Sequence, residues 1–496
     1  MNYTMAESVG VSSDKILEYI QLLETNRLKT HDIIISKGDH ILFEKYWAPF
    51  HENFYHRMYS ASKSFVSLAI GFAEQDGLLC LDDPIIKYFP KELENQPDEN
   101  MRNQTIRHML MMSTAKLAGY WFGARTNDRV GFYFSNKSPV SRPSGTIYQY
   151  DSEGSFVLGA LVERLTGKPF MEYLREKMFR KIGVSEGARC LKCPGGHSWG
   201  DSGVLCTASD LWKVARFTLN RGSWNGEQLL NEQYIKTATS KQINNNHPGG
   251  TGVTKQGYGY QFWRTLRNSY AFYGMGCQFA ICCPDSDMIL IYNGDNQMLD
   301  DYAKEIILKG FFDLVESTSQ STPLPDNPDG CRRLAEETAN LKLAVAQGDY
   351  ICNTADKVNG VCYDVKPNSM GITRIQVDFS GNCGVLKYTN TQGDKELPFG
   401  LGHNVFGLFP EEGYSDEVGS VSAPGHKYQC AASAAWIEPA KLRLQVQIID
   451  KYFANLDIIL GFRDDLLGIF MEKVAEDFLW TYEGYATGIR ADKSEN

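Results

Sequence analysis

A serine and a lysine stand three positions apart at the start of the run MYSASKSFVSLAIGF, residues 58–72. Because positions i and i+3 lie on one side of a helix, Ser60 and Lys63 are expected to face each other. A serine hydroxyl becomes a good nucleophile when a nearby base removes its proton, and partial burial favours the neutral lysine that can do this. The pair is therefore a candidate nucleophile and base.

The same spacing occurs twice more, at Ser12/Lys15 and at Ser113/Lys116, so the pattern alone is a weak signal. At a helix N-cap, the hydroxyl of Ser12 can accept a free backbone N–H while its lysine points into water. The first pair differs because the positions after Ser60 predict a helix with an apolar face that packs centrally in a domain. That face consists of Phe65, Leu68, Ala69 and Phe72.

Two later stretches could complete a catalytic site. Tyr150-Asp151-Ser152 precedes a predicted helix, and a tyrosine hydroxyl at that place could move a proton between lysine, serine and leaving group. The stretch Gly274-Met275-Gly276-Cys277-Gln278 lies in a strand pattern, where small residues let a substrate approach the backbone and let an N–H point at an oxyanion.

The order of these motifs carries a family resemblance. It runs from SxxK through PxGTxxxYxS, with the helix LGxLVExxTGKPF, to GxGxQ. In this order the chain resembles the β-lactamase-related serine hydrolases, which include class C β-lactamases, DD-peptidases, D-aminopeptidases, 6-aminohexanoate-dimer hydrolases and family VIII esterases. The resemblance covers about residues 10 to 316. It implies an α/β (α+β) fold in which helices flank an antiparallel sheet beside an all-α region.

The resemblance also implies residue roles. Ser60 would attack a carbonyl carbon, Lys63 and Tyr150 would form the proton-transfer pair, and Ser152 stands where the family has Asn or Ser. The backbone amides of Ser60 and Gln278 would form the oxyanion hole.

The third motif departs from the family pattern at one position. Cys277 is a second possible oxyanion donor and Gly276 a small neighbour of the substrate. Penicillin-recognising members usually have Lys or His where this chain has Met275, and a thioether cannot pair with a substrate carboxylate. A small ester or amide is therefore the expected substrate. A D-amino-acid amidase or D-aminopeptidase, a β-lactamase or DD-carboxypeptidase, and a non-enzymatic binding protein remain alternatives.

Several other patterns have competing explanations. Tyr120 and Trp121 lie in the aromatic stretch 118–134 and could line an apolar substrate pocket or pack in the core. Gly200-Asp201-Ser202-Gly203 matches the serine motif of trypsin-like proteases without the other motifs of that class, so Ser202 is interpreted as a loop residue near the site. Cys190 and Cys193 have metal-type spacing, but no second pair completes a tetrahedral zinc site, and no metal or cofactor is expected.

Composition narrows the class of protein. The 496 residues carry a formal charge of -10 and contain no dense Lys/Arg block, which argues against nucleic acid or membrane surfaces as partners. The N-terminus lacks a basic and then apolar signal pattern, and no apolar run is long enough to span a bilayer, which predicts a cytoplasmic protein with reduced cysteines. Homo-oligomer formation stays open.

The pattern along the chain predicts two domains. Strand-type runs at both ends of residues 1–316 bracket a helical middle, which gives one catalytic domain. Residues 317–330 are polar and proline-rich, as a linker would be. Residues 331–496 begin with a short helix and then alternate β-type runs with turns, which predicts an all-β barrel or sandwich.

Overall fold

The protein forms two compact units. The computed structural model describes residues 2–93, 97–116, 126–135, 141–245, 252–318, 323–415, 417–419, 423–474 and 482–491. The first unit is Met1–Lys342 with Glu417–Gly419, and the second is Leu343–Asp416 with Ser420–Asn496.

A seven-stranded sheet forms the centre of the first unit. Its order from edge to edge is β1, β3, β2, β12, β11, β10, β9, and every pairing is antiparallel except that of β1 with β3. Strands from the beginning and the end of this unit thus lie side by side, because β2 pairs with β12. The strands of this unit are β1 Asn2–Tyr3, β2 Thr30–Lys37, β3 His40–Tyr46, β4 His56–Arg57, β5 Arg189–Cys190, β6 Val204–Cys206, β7 Ser223–Trp224, β8 Glu227–Gln228, β9 Trp263–Arg264, β10 Tyr270–Gly274, β11 Gln278–Cys283 and β12 Met288–Gly294.

Helices cover both faces of this sheet, which explains why its central strands are apolar on both sides. Successive residues of β2 alternate between two cores: Ile34 packs with the helical region, whereas Ile33 and Ile35 pack with the first and last helices of the unit. The helices of the unit are α1 Ser13–Thr25, α2 Ser62–Gln75, α3 Glu99–Arg102, α4 Ile106–Leu110, α5 Arg129–Ser135, α6 Ser152–Thr166, α7 Phe170–Leu174, α8 Arg180–Ile182, α9 Ala208–Leu219, α10 Glu232–Thr239, α11 Asp300–Glu316 and α12 Pro328–Glu337.

The boundary between the units lies after Lys342. The sequence placed the linker at 317–330 and assigned the helix after it to the second domain. Instead, α12 belongs to the first unit because it is held against α1: Arg333 forms an ion pair with Asp14 at 2.7 Å, and Leu334 is buried in the core that α1 shares. A polar, proline-rich segment can end one helix and begin the next within a single unit.

The second unit is a closed barrel, as one of the two predicted alternatives. Nine strands, each antiparallel to the next, follow one another in the order β16, β15, β14, β13, β22, β21, β20, β19, β18. A short parallel pairing of β16 with β18 closes the ring. A tenth strand, β17, pairs with β18. These elements are α13 Asn353–Val358, β13 Cys362–Val365, β14 Arg374–Ser380, β15 Cys383–Asn390, β16 Gly393–Leu401, β17 Val405–Leu408, β18 Gln429–Glu438, β19 Lys441–Ile449, β20 Phe453–Arg463, β21 Leu466–Val474 and β22 Gly484–Arg490.

Two observations bear on predictions made from composition. Among the described residues, no helix has both the length and the apolar character needed to cross a lipid bilayer. All twelve cysteines are free thiols.

Candidate active site

Ser60 lies at the entrance to the most deeply buried helix of the first unit. A single 3-10 turn, Tyr59–Ala61, connects β4 to α2, and Ser60 is its partly exposed central residue. Tyr59 has φ +45°, a left-handed conformation that few non-glycine residues adopt, so the chain bends sharply just before Ser60. Twelve of the fourteen residues of α2 are buried, which fixes the position of the turn.

Lys63 is brought against Ser60 as the spacing predicts. Its side chain is only 1% exposed, and its Nζ donates to Ser60 Oγ at 2.9 Å and to the carbonyl oxygen of Asp201 at 2.7 Å. The two acceptors fix the direction of the amine. The Nζ lone pair of a neutral Lys63 could accept the proton of the Ser60 hydroxyl over the same short distance.

Tyr150 reaches the same place from a different element. Lys63 Nζ lies 5.0 Å from the centre of its ring, and the ring also stacks on Trp263, at 5.6 Å between centroids and 29° between planes. Within the described residues, the Tyr150 hydroxyl makes no hydrogen bond to Ser60 or Lys63. The structure therefore places the tyrosine ring beside the lysine amine.

The residues after Tyr150 begin α6. Asp151 is its N-cap and accepts the N–H of Gly154 at 2.9 Å; burial raises the pKa of this carboxyl, although the Gly154 N–H acts against that shift. Ser152 is the first helical residue and is partly exposed, and no hydrogen bond of its hydroxyl to Ser60 or Lys63 occurs in the described part of the chain. Its role in substrate binding stays a prediction.

Residues 275–277 form a hairpin turn between two strands, where the sequence pattern predicted a strand. Gly274 ends β10, Gln278 begins β11, and the two residues are paired across the hairpin. Gly276 has φ +78°, the conformation that such a turn requires and that glycine adopts without strain. A Cβ atom on Gly274 would lie 2.1 Å from the carbonyl oxygen of Met58, so the absence of a side chain lets this turn lie against the backbone just before Ser60.

The contacts of the turn bear on the predicted roles of Cys277 and Gln278. The Cys277 N–H donates to the Gly274 carbonyl at 3.1 Å, so it is not a free oxyanion donor, and its buried thiol faces Asp300 at 3.8 Å. Burial raises the pKa of this thiol well above its usual value. The Gln278 side chain is fully buried and donates to the carbonyls of Met275 and Gly294, so it braces the turn, while the role of the Gln278 backbone amide in the oxyanion hole stays a prediction.

The other two residues of the turn are Met275 and Gly276. In the part of the chain that the structure describes, the amides of Met275 and Gly276 donate to no acceptor. The Met275 side chain is 41% exposed. Its contact with substrate stays a prediction.

The Gly200–Gly203 loop borders the site, although not as a protease motif. Its Asp201 carbonyl accepts from Lys63, and its Ser202 accepts from Arg57 through both the carbonyl oxygen, at 3.0 Å, and the hydroxyl, at 3.2 Å. Gly200 permits a close approach, since a Cβ there would lie 2.9 Å from Val66 of α2. Gly200, one of the two glycines of the motif, thus lets this loop pack closely against α2, the helix that carries Lys63.

Some site residues were missed or lie outside the described residues. Sequence reasoning did not single out Asp201 or Trp263, because a carbonyl acceptor and a stacked ring have no local signature. Tyr120 and Trp121 fall in the stretch 117–125, outside the described residues, so their predicted pocket role remains a prediction.

Comparisons with known proteins bear on the family of this chain. The family model described as Beta-lactamase matches residues 21–303. The chain is 24% identical over 281 residues to 6-aminohexanoate-dimer hydrolase of Paenarthrobacter ureafaciens, covering 53% of this chain and 71% of that protein. It is 25% identical over 207 residues to Esterase EstB of Burkholderia gladioli, covering 36% of this chain and 52% of that protein.

A solved structure supports the fold. A putative 6-aminohexanoate-dimer hydrolase from Bacillus anthracis aligns with 65% of this chain and 88% of its own, with a TM-score of 0.54 and 18% identity. The predicted fold class is confirmed. The chain belongs to the Beta-lactamase family, and the prediction of a β-lactamase-related serine hydrolase is likewise confirmed.

Proposed function

We propose that this protein hydrolyses a small carboxylic ester or amide through an acyl-enzyme on Ser60. The observation that carries the proposal is the 2.9 Å contact of Lys63 Nζ with Ser60 Oγ at the buried start of α2. A hydroxyl and an amine in direct contact, with the hydroxyl partly exposed, are what nucleophilic catalysis by serine needs.

The reaction proceeds in two halves. Ser60 Oγ attacks the substrate carbonyl carbon while neutral Lys63 accepts the hydroxyl proton, and the resulting oxyanion is stabilised by the backbone amides of Ser60 and Gln278. Collapse expels the alcohol or amine, which takes the proton from Lys63 with Tyr150 as the relay. Water then attacks the acyl carbon and gives a proton to Lys63; as the tetrahedral intermediate collapses, the bond between the acyl carbon and Ser60 Oγ breaks, and Ser60 Oγ takes the proton back from Lys63 while the acid leaves.

Two features support a small ester or amide as the substrate. Met275 offers no cation to a substrate carboxylate at the position where penicillin-recognising relatives usually have one. In addition, the relatives found by sequence include proteins named 6-aminohexanoate-dimer hydrolase and Esterase EstB. Both bond types are cleaved by the same acyl-transfer chemistry, with pocket shape deciding the substrate.

A fluorophosphonate probe tests the nucleophile. We expect one adduct on folded protein, mapped by peptide mass spectrometry to the peptide that contains Ser60, and no adduct on Ser60→Ala. An unlabelled Ser60 in folded protein would contradict the proposal. Labelling at Ser113 instead would assign the chemistry to another copy of the motif.

The substrate class is tested on one preparation with p-nitrophenyl esters, D-amino-acid amides and nitrocefin. Esters or simple amides are expected to have the highest kcat/KM. Met275→Lys is expected to raise nitrocefin hydrolysis relative to ester hydrolysis, because it adds a cation for the carboxylate. Rapid nitrocefin hydrolysis by the unaltered protein would show that Met275 does not exclude β-lactams.

A further inference from the structure

We propose that Trp263 is a positioning residue that holds the Tyr150 ring beside Lys63, and that Gln261 holds Trp263 in place. The proposal rests on the function proposed above, because it concerns the tyrosine of that mechanism. It adds a residue that touches neither the nucleophile nor its base.

The backbone of Tyr150 is held by its neighbours along the chain. The tyrosine lies in the short connection before α6, where Gln149 N–H donates to the carbonyl of Met112 at 2.7 Å and Asp151 caps the helix. Its backbone is thereby held, but its side chain is only partly buried and its hydroxyl has no hydrogen bond to Ser60 or Lys63 within the described residues. Ring contacts must therefore set its orientation.

Two ring contacts do so. The Tyr150 ring and the Trp263 indole stack at 5.6 Å between centroids and 29° between planes, while Lys63 Nζ lies 5.0 Å from the Tyr150 centroid. Offset stacking and an amine over an aromatic ring are both favourable contacts. Removing the indole would leave one side of the Tyr150 ring without its partner.

The indole is itself held by three further tyrosines. Tyr258 lies edge-on at 5.2 Å, Tyr273 at 5.8 Å and Tyr148 at 6.5 Å, each measured between ring centroids. Tyr258 and Tyr148 are buried, and they form a small core with Met112. Aromatic contacts from several sides leave the Trp263 ring little freedom to rotate.

Gln261 connects this ring to the helices of the site. Its Nε2 donates to the carbonyls of Met109 and Leu110 at 3.0 Å each, and its Oε1 accepts the hydroxyl of Ser155 on α6 at 2.7 Å. Its own carbonyl accepts the hydroxyl of Ser64, the residue after Lys63, at 2.7 Å.

The backbone of Gln261 shows that this arrangement is specific. The residue is 1% exposed and has φ +64°, an unfavourable conformation for a non-glycine residue that persists only where the surroundings enforce it. Two residues later the chain reaches Trp263 at the start of β9. Through its side chain and its backbone carbonyl, the buried Gln261 thus connects α2, α4 and α6 to β9, the strand that carries Trp263.

The experiment compares Trp263→Ala and Trp263→Phe by steady-state kinetics on the best ester. Since a displacement of about 1 Å at a catalytic group costs up to about 100-fold in rate, Trp263→Ala is expected to lower kcat by about 10- to 100-fold with little change in KM. Trp263→Phe keeps a stacking face and is expected to restore most of kcat. Trp224→Ala, a partly buried tryptophan in the β7–β8 hairpin, is the matched control and should leave kcat unchanged.

A double-mutant cycle with Tyr150→Phe decides whether Trp263 acts through the tyrosine hydroxyl. If it does, Trp263→Ala loses much less in the Tyr150→Phe background than in the wild type. An equal loss in both backgrounds, or an unchanged kcat in Trp263→Ala, would overturn the positioning role. Turnover that survives in Ser60→Ala would instead overturn the proposed function, so the two failures are distinguishable.

Discussion

The pairs Ser60/Lys63 and Ser113/Lys116 have the same spacing, and both lysines are buried, at 1% and 7% exposure. In the first pair the amine donates to the hydroxyl at 2.9 Å. In the second, Ser113 Oγ donates to the carbonyl of His108 at 3.0 Å, and Lys116 Nζ lies 4.7 Å from the centre of the Tyr133 ring. Spacing and burial together therefore do not make a catalytic pair.

The backbone makes the difference. Ser60 and Lys63 lie on a continuous 3-10 turn and helix, so positions i and i+3 share one side. Ser113 follows the end of α4, where the chain is no longer helical, and its hydroxyl is used by the helix that precedes it. Ser12 is an N-cap as predicted, but its hydroxyl makes no capping bond, and the adjacent Ser13 bonds Glu7 instead.

The nucleophile gives the sharpest test of this difference. Ser60→Ala is expected to lower kcat for the best ester by at least about 10⁴-fold, because no other hydroxyl can form the acyl-enzyme. Ser113→Ala should leave kcat unchanged while losing about 1 kcal/mol of stability for its buried hydrogen bond. Kinetics and urea unfolding of both variants check this, and comparable activity losses would erase the distinction between the pairs.

The two lysines should separate next. Lys63→Ala removes the base and is expected to lower kcat by about 10²- to 10⁴-fold, with Ser60 still present. Lys116→Met keeps a buried chain of similar length and is expected to lose far less. The rate of fluorophosphonate labelling at Ser60 in both variants measures this directly; a greater loss in Lys116→Met would reverse the assignment of the base.

The turn beside Ser60 can be disturbed without changing either motif residue. Gly274→Ala places a Cβ atom 2.1 Å from the Met58 carbonyl, so the turn or Ser60 must move, and kcat is expected to fall by about 10- to 100-fold. Gly407→Ala, where the added Cβ meets nothing within 4 Å, is the control and should have normal kcat. Normal kinetics for both variants would show that the turn does not position Ser60.

The smallest effect concerns stability and not rate. Burial lowers the pKa of Lys116 to about 8, while Glu153 and Asp151 act against this shift. Between pH 8 and 10.5 the unfolded chain binds more protons at this lysine than the folded chain, so wild-type stability should rise with pH relative to Lys116→Met, by roughly 2–3 kcal/mol. The free energies of unfolding of both proteins, measured in urea at pH 7.5 and pH 10, check this. An equal change with pH in the two proteins would mean that the charge of Lys116 does not destabilise the folded state.

Much of the site could be predicted from the sequence because its parts have local signatures. Each of these signatures is formed by residues that are close together in the chain. They are the Ser60/Lys63 spacing, the helix that ends at Gln75, and Tyr150 just before α6. The turn at 275–277 was predicted as strand, since glycine and cysteine between apolar residues fit either structure. The boundary after Lys342 was placed too early because the contacts of α12 with α1 join residues about 320 positions apart.

By itself the sequence determined the family, the antiparallel sheet flanked by helices, and the serine that is the nucleophile candidate. These follow from local propensity, apolar patterning and the order of the motifs, all of which can be read along the chain. Only the tertiary structure decided which groups surround Lys63. The Asp201 carbonyl contacts Lys63, the Trp263 indole stacks on Tyr150, and the turn at Gly274 lies against the backbone next to Ser60; all three come from distant parts of the chain. Their positions follow from packing, which no local pattern records.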